Sequence, residues 1–243
     1  MTSRPDEHRR AELVTALGGV RARIADACAA VGRDPHSVTL VAVTKTFPAS
    51  DVAILAHLGV TDFGENRDQE AAAKVEATAA LLGDAPAPRW HFVGRLQTRR
   101  CRSVASYASA VHSVDRVELV DRLADGAAAA GRAGLEIFVQ VSMDGDPDRG
   151  GVLIERVPEL AAAVAARPEL RLRGVMAMPP LDSDPEREFA RLAEVSRTLR
   201  AQHPEADAIS AGMSHDLEAA VKHGSTHVRV GTALLGRREP VFG

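Results

Sequence analysis

Apolar residues in the first part of the chain recur at three- and four-residue steps: Leu13, Leu17, Val20, Ile24, Cys28 and Val31. That spacing predicts one amphipathic helix over residues 6–31, stopped by Gly32 with Pro35 beyond. The period then changes. Residues 38–45 form an apolar, β-branched run, followed by a helical stretch over 49–58. The alternation continues to the end. Short strands are predicted at 61–63, 90–93, 110–113, 136–142, 172–176, 208–210 and 227–230. Helical stretches follow them to Leu82, over 98–107, 115–130, 155–166, 185–202 and 214–223, and at a short turn after Gly231.

Eight strand–helix units joined by short connections predict an α/β fold, a closed (β/α)8 barrel of the TIM type preceded by an extra helix. An open doubly wound sheet would call for a glycine-rich turn after its first strand. Thr44-Lys45-Thr46-Phe47-Pro48 contains no glycine. No linker or shift in composition divides residues 1–243, which read as a single domain.

In such a barrel the chemistry belongs at the carboxyl ends of the strands. The residues there are Lys45, Asn66, Arg95, Ser113, Ser142, Met176, Ser210, Arg229, Gly231 and Thr232. Only three lysines occur: Lys45, Lys74 and Lys222. The last two lie on helical stretches and read as exposed charge. Lys45 ends the first strand. It is either a buried amine suited to a Schiff base, or a lysine that has just emerged into solvent. Alternation turns both Lys45 and Arg229 into the barrel mouth. An inward arginine needs a partner, either a carboxylate such as Glu65 or a ring nitrogen of a cofactor.

Ser210-Ala211-Gly212-Met213-Ser214 joins the seventh strand to a helix that Ser214 is placed to cap. Val230-Gly231-Thr232 follows the eighth strand. Loops at these two places often bind phosphate, although ordinary capping would use the same residues.

Composition narrows the field. The chain has 243 residues, 45% of them hydrophobic, and a net charge of −3. No basic field attracts nucleic acid or a membrane surface. No apolar run approaches the roughly 18 residues of a membrane span, and the start is polar, so a cytoplasmic location is expected. Cys28 and Cys101 follow no metal spacing, and Cys28 lies on the apolar stripe of its helix.

Three other patterns are weaker. Ser214-His215-Asp216 holds triad residue types, but neighbours in a helix face apart. Asp144-Gly145-Asp146-Pro147-Asp148 imitates a calcium loop, with Arg149 where glycine is needed. His112 and His227 fall inside strands, where a satisfied core histidine is the simpler reading than a metal ligand, and no paired His-x-His is present.

Six ordered motifs carry a resemblance that runs from about Arg21 to the end. They are Val41-Ala42-Val43-Thr44-Lys45, Phe63-Gly64-Glu65-Asn66, Trp90-His91-Phe92-Val93-Gly94 with Leu96-Gln97, Arg173 to Pro179, Ser210 to Ser214 with Asp216, and Val228 to Thr232. The chain resembles the pyridoxal phosphate homeostasis proteins. The resemblance implies a barrel of the alanine racemase N-terminal-domain type. Lys45 would form a Schiff base with pyridoxal 5′-phosphate, and Arg229 would face the pyridine nitrogen. Ser210, Ser214, Gly231 and Thr232 would hold the phosphate, with Asn66 near the ring. Storage or delivery of the cofactor is implied, with apo pyridoxal-phosphate enzymes as recipients and no established reaction. Arg67, Arg99, Arg100 and Arg149 depart from the family pattern and bear on any role for a second, loop lysine.

Two other functions share these features. An amino-acid racemase or decarboxylase of the same fold would need a second base, a tyrosine in the related racemases. Tyr107 precedes the fourth strand, at the wrong end, and twelve residues after Gly231 are too few for an added domain. A Schiff-base enzyme acting on a sugar phosphate would need no aromatic cofactor. A barrel without an added domain is expected to be a monomer.

Overall fold

The computed structural model describes residues 4–83, 85–180 and 182–237. The polar start, Met1 to Ser3, lies outside them. The eight strands are β1 (Thr39–Val43), β2 (Asp62–Glu65), β3 (Arg89–Phe92), β4 (Ala110–Val114), β5 (Leu135–Gln140), β6 (Leu170–Met176), β7 (Ala208–Ser210) and β8 (His227–Val230). All pairs are parallel and follow chain order, and β8 closes onto β1. Closure leaves no free edge, so every strand has two neighbours. The helices are α1 (Arg4–Ala29), α2 (Ala49–His57), α3 (Asp68–Leu82), α4 (Cys101–Tyr107), α5 (Val117–Ala129), α6 (Val157–Ala165), α7 (Pro185–Gln202), α8 (Leu217–Lys222) and α9 (Thr232–Leu235).

Strand register sorts the side chains into two populations. Val41 stands level with Asp62 on β2 and with Arg229 on β8. Ala42 stands level with Phe63 and Val230. The second row faces outward and packs with Trp90, Val228 and the helices in a continuous apolar shell. A second shell joins β4, β5 and β6 to α4, α5, α6 and α7 through residues such as Leu119, Leu123, Ile137 and Leu192, all fully buried. Burying a side chain of this size stabilises by about 1.5–3 kcal/mol. The inner face holds a small apolar cluster of Ala110, Phe138, Met176 and Ala208, beside polar groups that carry the rest of the interior.

Helix α1 covers the seam where the barrel closes. Leu13, Leu17, Val20, Ile24 and Cys28 are buried as the spacing predicts. Val31 is 39% exposed, because the helix ends at Ala29 and the chain turns through Gly32 (φ 67). Arg9 reaches Asp51 on α2 at 2.7 Å and Leu235 O at 3.2 Å, and Arg23 pairs with Glu218 on α8 at 2.6 Å. Among the described residues no helix is long and apolar enough to cross a membrane.

Candidate functional site at the barrel mouth

The first strand is shorter than predicted. It ends at Val43, and Thr44 to Phe47 form a tight turn closed by Phe47 N–H donating to Thr44 O at 3.0 Å. Lys45 and Thr46 occupy its centre. Lys45 is exposed, which matches the second of its two readings, a lysine that has left the strand, here on a turn. Thr46 has φ 68 and is the only non-glycine residue with positive φ among those described. A β-branched residue there costs roughly 1–2 kcal/mol, so the turn needs outside support.

That support comes from a lysine expected to be exposed. Lys74 on α3 is 6% exposed. It shares the sheet-facing stripe of α3 with Ala71, Thr78 and Leu82. Its Nζ donates to Thr44 O at 2.7 Å, Glu65 Oε1 at 2.7 Å and Glu70 Oε1 at 3.1 Å. Thr44 Oγ1 also donates to Glu65 Oε1, at 2.7 Å. Thr46 N–H donates to Glu70 Oε1 at 2.5 Å. Burial pushes the Glu65 carboxyl above its usual range, against the opposing pull of Lys74 and Thr44. Glu65 Oε2 and, on the next residue, Asn66 Oδ1 are buried without an internal partner.

Arg229 points inward as alternation predicts and is 5% exposed. It does not meet Glu65. Its guanidinium donates to Ser210 O at 2.7 Å, Ser210 Oγ at 2.6 Å and Ala177 O at 3.0 Å. Burial lowers its pKa to about 10, so it keeps its charge at neutral pH. The resemblance implies that Ser210 holds the phosphate. Its hydroxyl lies in the interior instead, 2.8 Å from His112 Nδ1. From there a file of groups crosses the barrel: His112 Nε2 to His91 Nδ1 at 2.8 Å, then His91 Nε2 to Asp62 Oδ1 at 2.8 Å.

The two ends of this file dictate its protons. Arginine only donates and a carboxylate only accepts. With neutral rings, each link must therefore donate toward Asp62. Burial holds His112 well below the usual histidine range, and brings nearby His227 down to about 3. His112 and His227 are thus hydrogen-bonded core histidines, as expected; His227 Nδ1 lies 2.8 Å from Thr226 Oγ1.

The loops after β7 and β8 are tied together. Gly212 adopts φ 93, and a Cβ there would lie 2.7 Å from the Cβ of Ala220. Helix α8 starts later than predicted, at Leu217, and Asp216 Oδ1 accepts from Met213 N at 2.5 Å. Ser214 therefore caps a different element: its Oγ accepts from Ala233 N on α9 at 3.2 Å. Gly231 packs against β1, where a Cβ would lie 3.3 Å from Val43 O. Ser214 is half-buried and Thr232 exposed.

Among the other predicted positions, Ser113 Oγ is buried without an internal partner, and the following are bonded locally. Ser142 Oγ accepts from Gly145 N at 3.0 Å, and Asp144 and Asp146 accept from backbone N–H groups of their own loop. Arg149 donates to Met178 O and Pro179 O, at 2.8 and 2.9 Å. Arg99 contacts Gln97, and Arg100 lies near Asp68. Tyr107 ends α4 and packs against the apolar shells between helices and sheet. Lys74, Glu70, Asp62 and His91 are the structured polar residues that strand-end reasoning did not single out.

A family model described as the alanine racemase N-terminal domain matches residues 18–239. A protein of Mycobacterium bovis named pyridoxal phosphate homeostasis protein is 47% identical, over 98% of this chain and 96% of its own length. The chain belongs to the pyridoxal phosphate homeostasis protein family. An Escherichia coli K12 protein of the same name is 39% identical, over 92% of this chain and 95% of its own. Among solved structures, PipY of Synechococcus elongatus with PLP bound is 32% identical with a TM-score of 0.74, covering 88% of this chain and 100% of that one. The alanine racemase of Corynebacterium glutamicum, at 16% identity and TM-score 0.65, covers 93% of this chain and 63% of that one and shares the fold. The barrel of this family member is thus of the alanine racemase N-terminal type, with α1 added.

Proposed function

We propose that the protein binds pyridoxal 5′-phosphate covalently at Lys45 and stores it or delivers it to apo enzymes, without catalysing a reaction of its own. The observation that carries this is the placement of Lys45, an exposed amine on a strained turn beside the joined β7 and β8 loops. The PLP-bound structure of PipY, a relative at 32% identity, supports the choice of ligand.

The residues present fit that group. Asn66, directly after β2, the strand beside β1, has a buried amide oxygen left over from internal bonding. Ser214, Gly231 and Thr232 lie on the two loops that barrels of this kind use for phosphate. Ser210 acts through Arg229, which it holds by two contacts. When bound, pyridoxal phosphate supplies an aldehyde and an electron-withdrawing ring. Lys45 would hold the group through that aldehyde, its amine nitrogen taking the place of the aldehyde oxygen, which would leave as water. The Arg229 guanidinium, charged below about pH 10, would keep the ring nitrogen of such a group free of its proton, which would weaken the ring as an electron sink. Tyr107 is the only tyrosine of the chain; it packs in the helical layer, and burial beside Asp68 and Glu65 pushes its hydroxyl well above the usual tyrosine range, which leaves it unsuited as a base. That favours a carrier over a racemase or decarboxylase. The reading places a monomer in the cytoplasm, with neither nucleic acid nor membrane as partner.

Borohydride reduction of the protein loaded with pyridoxal phosphate, followed by peptide mass spectrometry, should place the adduct on Lys45. Lys45→Ala should lose it. Full retention of a reducible adduct in Lys45→Ala overturns the proposal, and turnover of free amino acids by the loaded protein overturns its non-catalytic part.

A further inference from the structure

Two observations at the Lys45 turn converge. The first is the backbone: Thr46 is held at φ 68, a conformation β-branched side chains avoid. The second is what grips the turn. On one side of Lys45, the Thr44 carbonyl accepts from Lys74 Nζ at 2.7 Å. On the other, the Thr46 N–H donates to Glu70 Oε1 at 2.5 Å. Lys74 and Glu70 stand one helical turn apart on α3 and bond each other at 3.1 Å. Lys74 is in turn anchored by Glu65 on β2 at 2.7 Å, and Glu65 also holds the Thr44 hydroxyl. The peptide groups on both sides of Lys45 are thus fastened to one ion pair on a rigid helix.

We infer that Lys74 and Glu70 are positioning residues for Lys45: they hold Thr46 in its strained conformation and so fix the direction in which the Lys45 amine leaves the barrel mouth. The inference rests on the reading of Lys45 as the condensing amine. Neither residue touches the reacting atoms. Without the pair the turn relaxes toward ordinary backbone angles, and Lys45 samples directions away from the mouth. Pre-orientation of a reacting group is a rate effect, so the loss appears in the speed of condensation.

Three variants of the full chain test this: Glu70→Ala, Lys74→Met, and Glu70→Ala combined with Thr46→Gly. The Glu70 side chain is 29% exposed, so its removal leaves a folded protein even where loss of the buried Lys74 does not. Two quantities are read, with thermal unfolding as the check on folding. One is hydrogen exchange at the Thr46 amide without any cofactor. The other is the rate at which added pyridoxal 5′-phosphate labels Lys45, trapped with borohydride and located by mass spectrometry. In Glu70→Ala, exchange should quicken about tenfold or more and labelling should slow by about tenfold, the factor for one lost charge-assisted hydrogen bond. Lys74→Met, where folded, should slow labelling in the same direction. Glycine at position 46 removes the steric strain without restoring the bond, so the double variant should label within about threefold of the native rate. Faster exchange with unchanged labelling in Glu70→Ala makes the clamp structural only and overturns the inference. A folded double variant that stays slow overturns the strain argument. Native protein that labels elsewhere than Lys45 overturns the underlying reading, and the exchange measurement still decides whether the clamp exists.

Discussion

The barrel buries two cations, and it treats them in opposite ways. Lys74, between α3 and the β1–β2 edge, is met by the carboxylates of Glu65 and Glu70. Arg229, inside the barrel, contacts carbonyls and a hydroxyl and no carboxylate among the described residues. The first cation is neutralised where it stands. The second has no carboxylate in contact: the buried Asp216 acts on it through space, and Ser210 and two imidazoles link it to Asp62. Pairing suits a brace; an unpaired guanidinium retains a field for a ligand. On the proposed function, the contrast separates a group that supports the site from one placed to act on what enters it.

The largest expected effect breaks the first half of that contrast. Lys74→Met strands the buried Glu65 carboxylate and should cost about 3–5 kcal/mol at pH 7 in urea unfolding. Arg229→Met removes a buried charge that had no carboxylate to strand, and should cost only about 1–3 kcal/mol. Equal losses would abolish the distinction. The pH dependence sharpens it. The Glu65 pKa in the folded state, already raised by burial, rises further without the opposing pull of Lys74. The native state then binds the extra proton, so the deficit of Lys74→Met relative to the native chain shrinks as pH falls from 7 to 5.

The second effect belongs to the interior. His227 has a folded pKa near 3 against an ordinary value of 6.5. The unfolded chain therefore binds more protons between these values, and stability falls as pH drops through that window. About 2 kcal/mol should be lost from this residue between pH 7 and pH 5. Urea midpoints at the two pH values measure it, and His227→Gln should flatten the slope. The smallest effect comes from Ser210→Ala, which leaves His112 Nδ1 without its donor. It should cost about 1–2 kcal/mol and shift the nitrogen NMR signals of His91 as well as His112, because both rings share one file.

Much of this architecture was legible in the residues. The switch from a helical to a strand–helix rhythm near residue 38 located all eight strands, and counting by twos turned Arg229 inward. What failed did so for local reasons. Thr44 and Thr46 suit a strand, so the strand was carried through Lys45; only the left-handed Thr46 reveals the turn. Lys74 sits among alanines that blur the stripe of α3, although Ala71, Thr78 and Leu82 share its face. His91 and Asp62 are 29 residues apart. They meet because β2 and β3 pair in a particular register, which one sequence does not display.

One feature of the interior reaches beyond the file itself. Because every hydrogen in it leans toward Asp62, the bond dipoles add along the file instead of cancelling, with their negative ends toward Arg229 and their positive ends toward Asp62. A buried guanidinium and a buried carboxylate that never touch thus each meet a partial charge of opposite sign, and a single ring turned to its other tautomer would set two donors face to face.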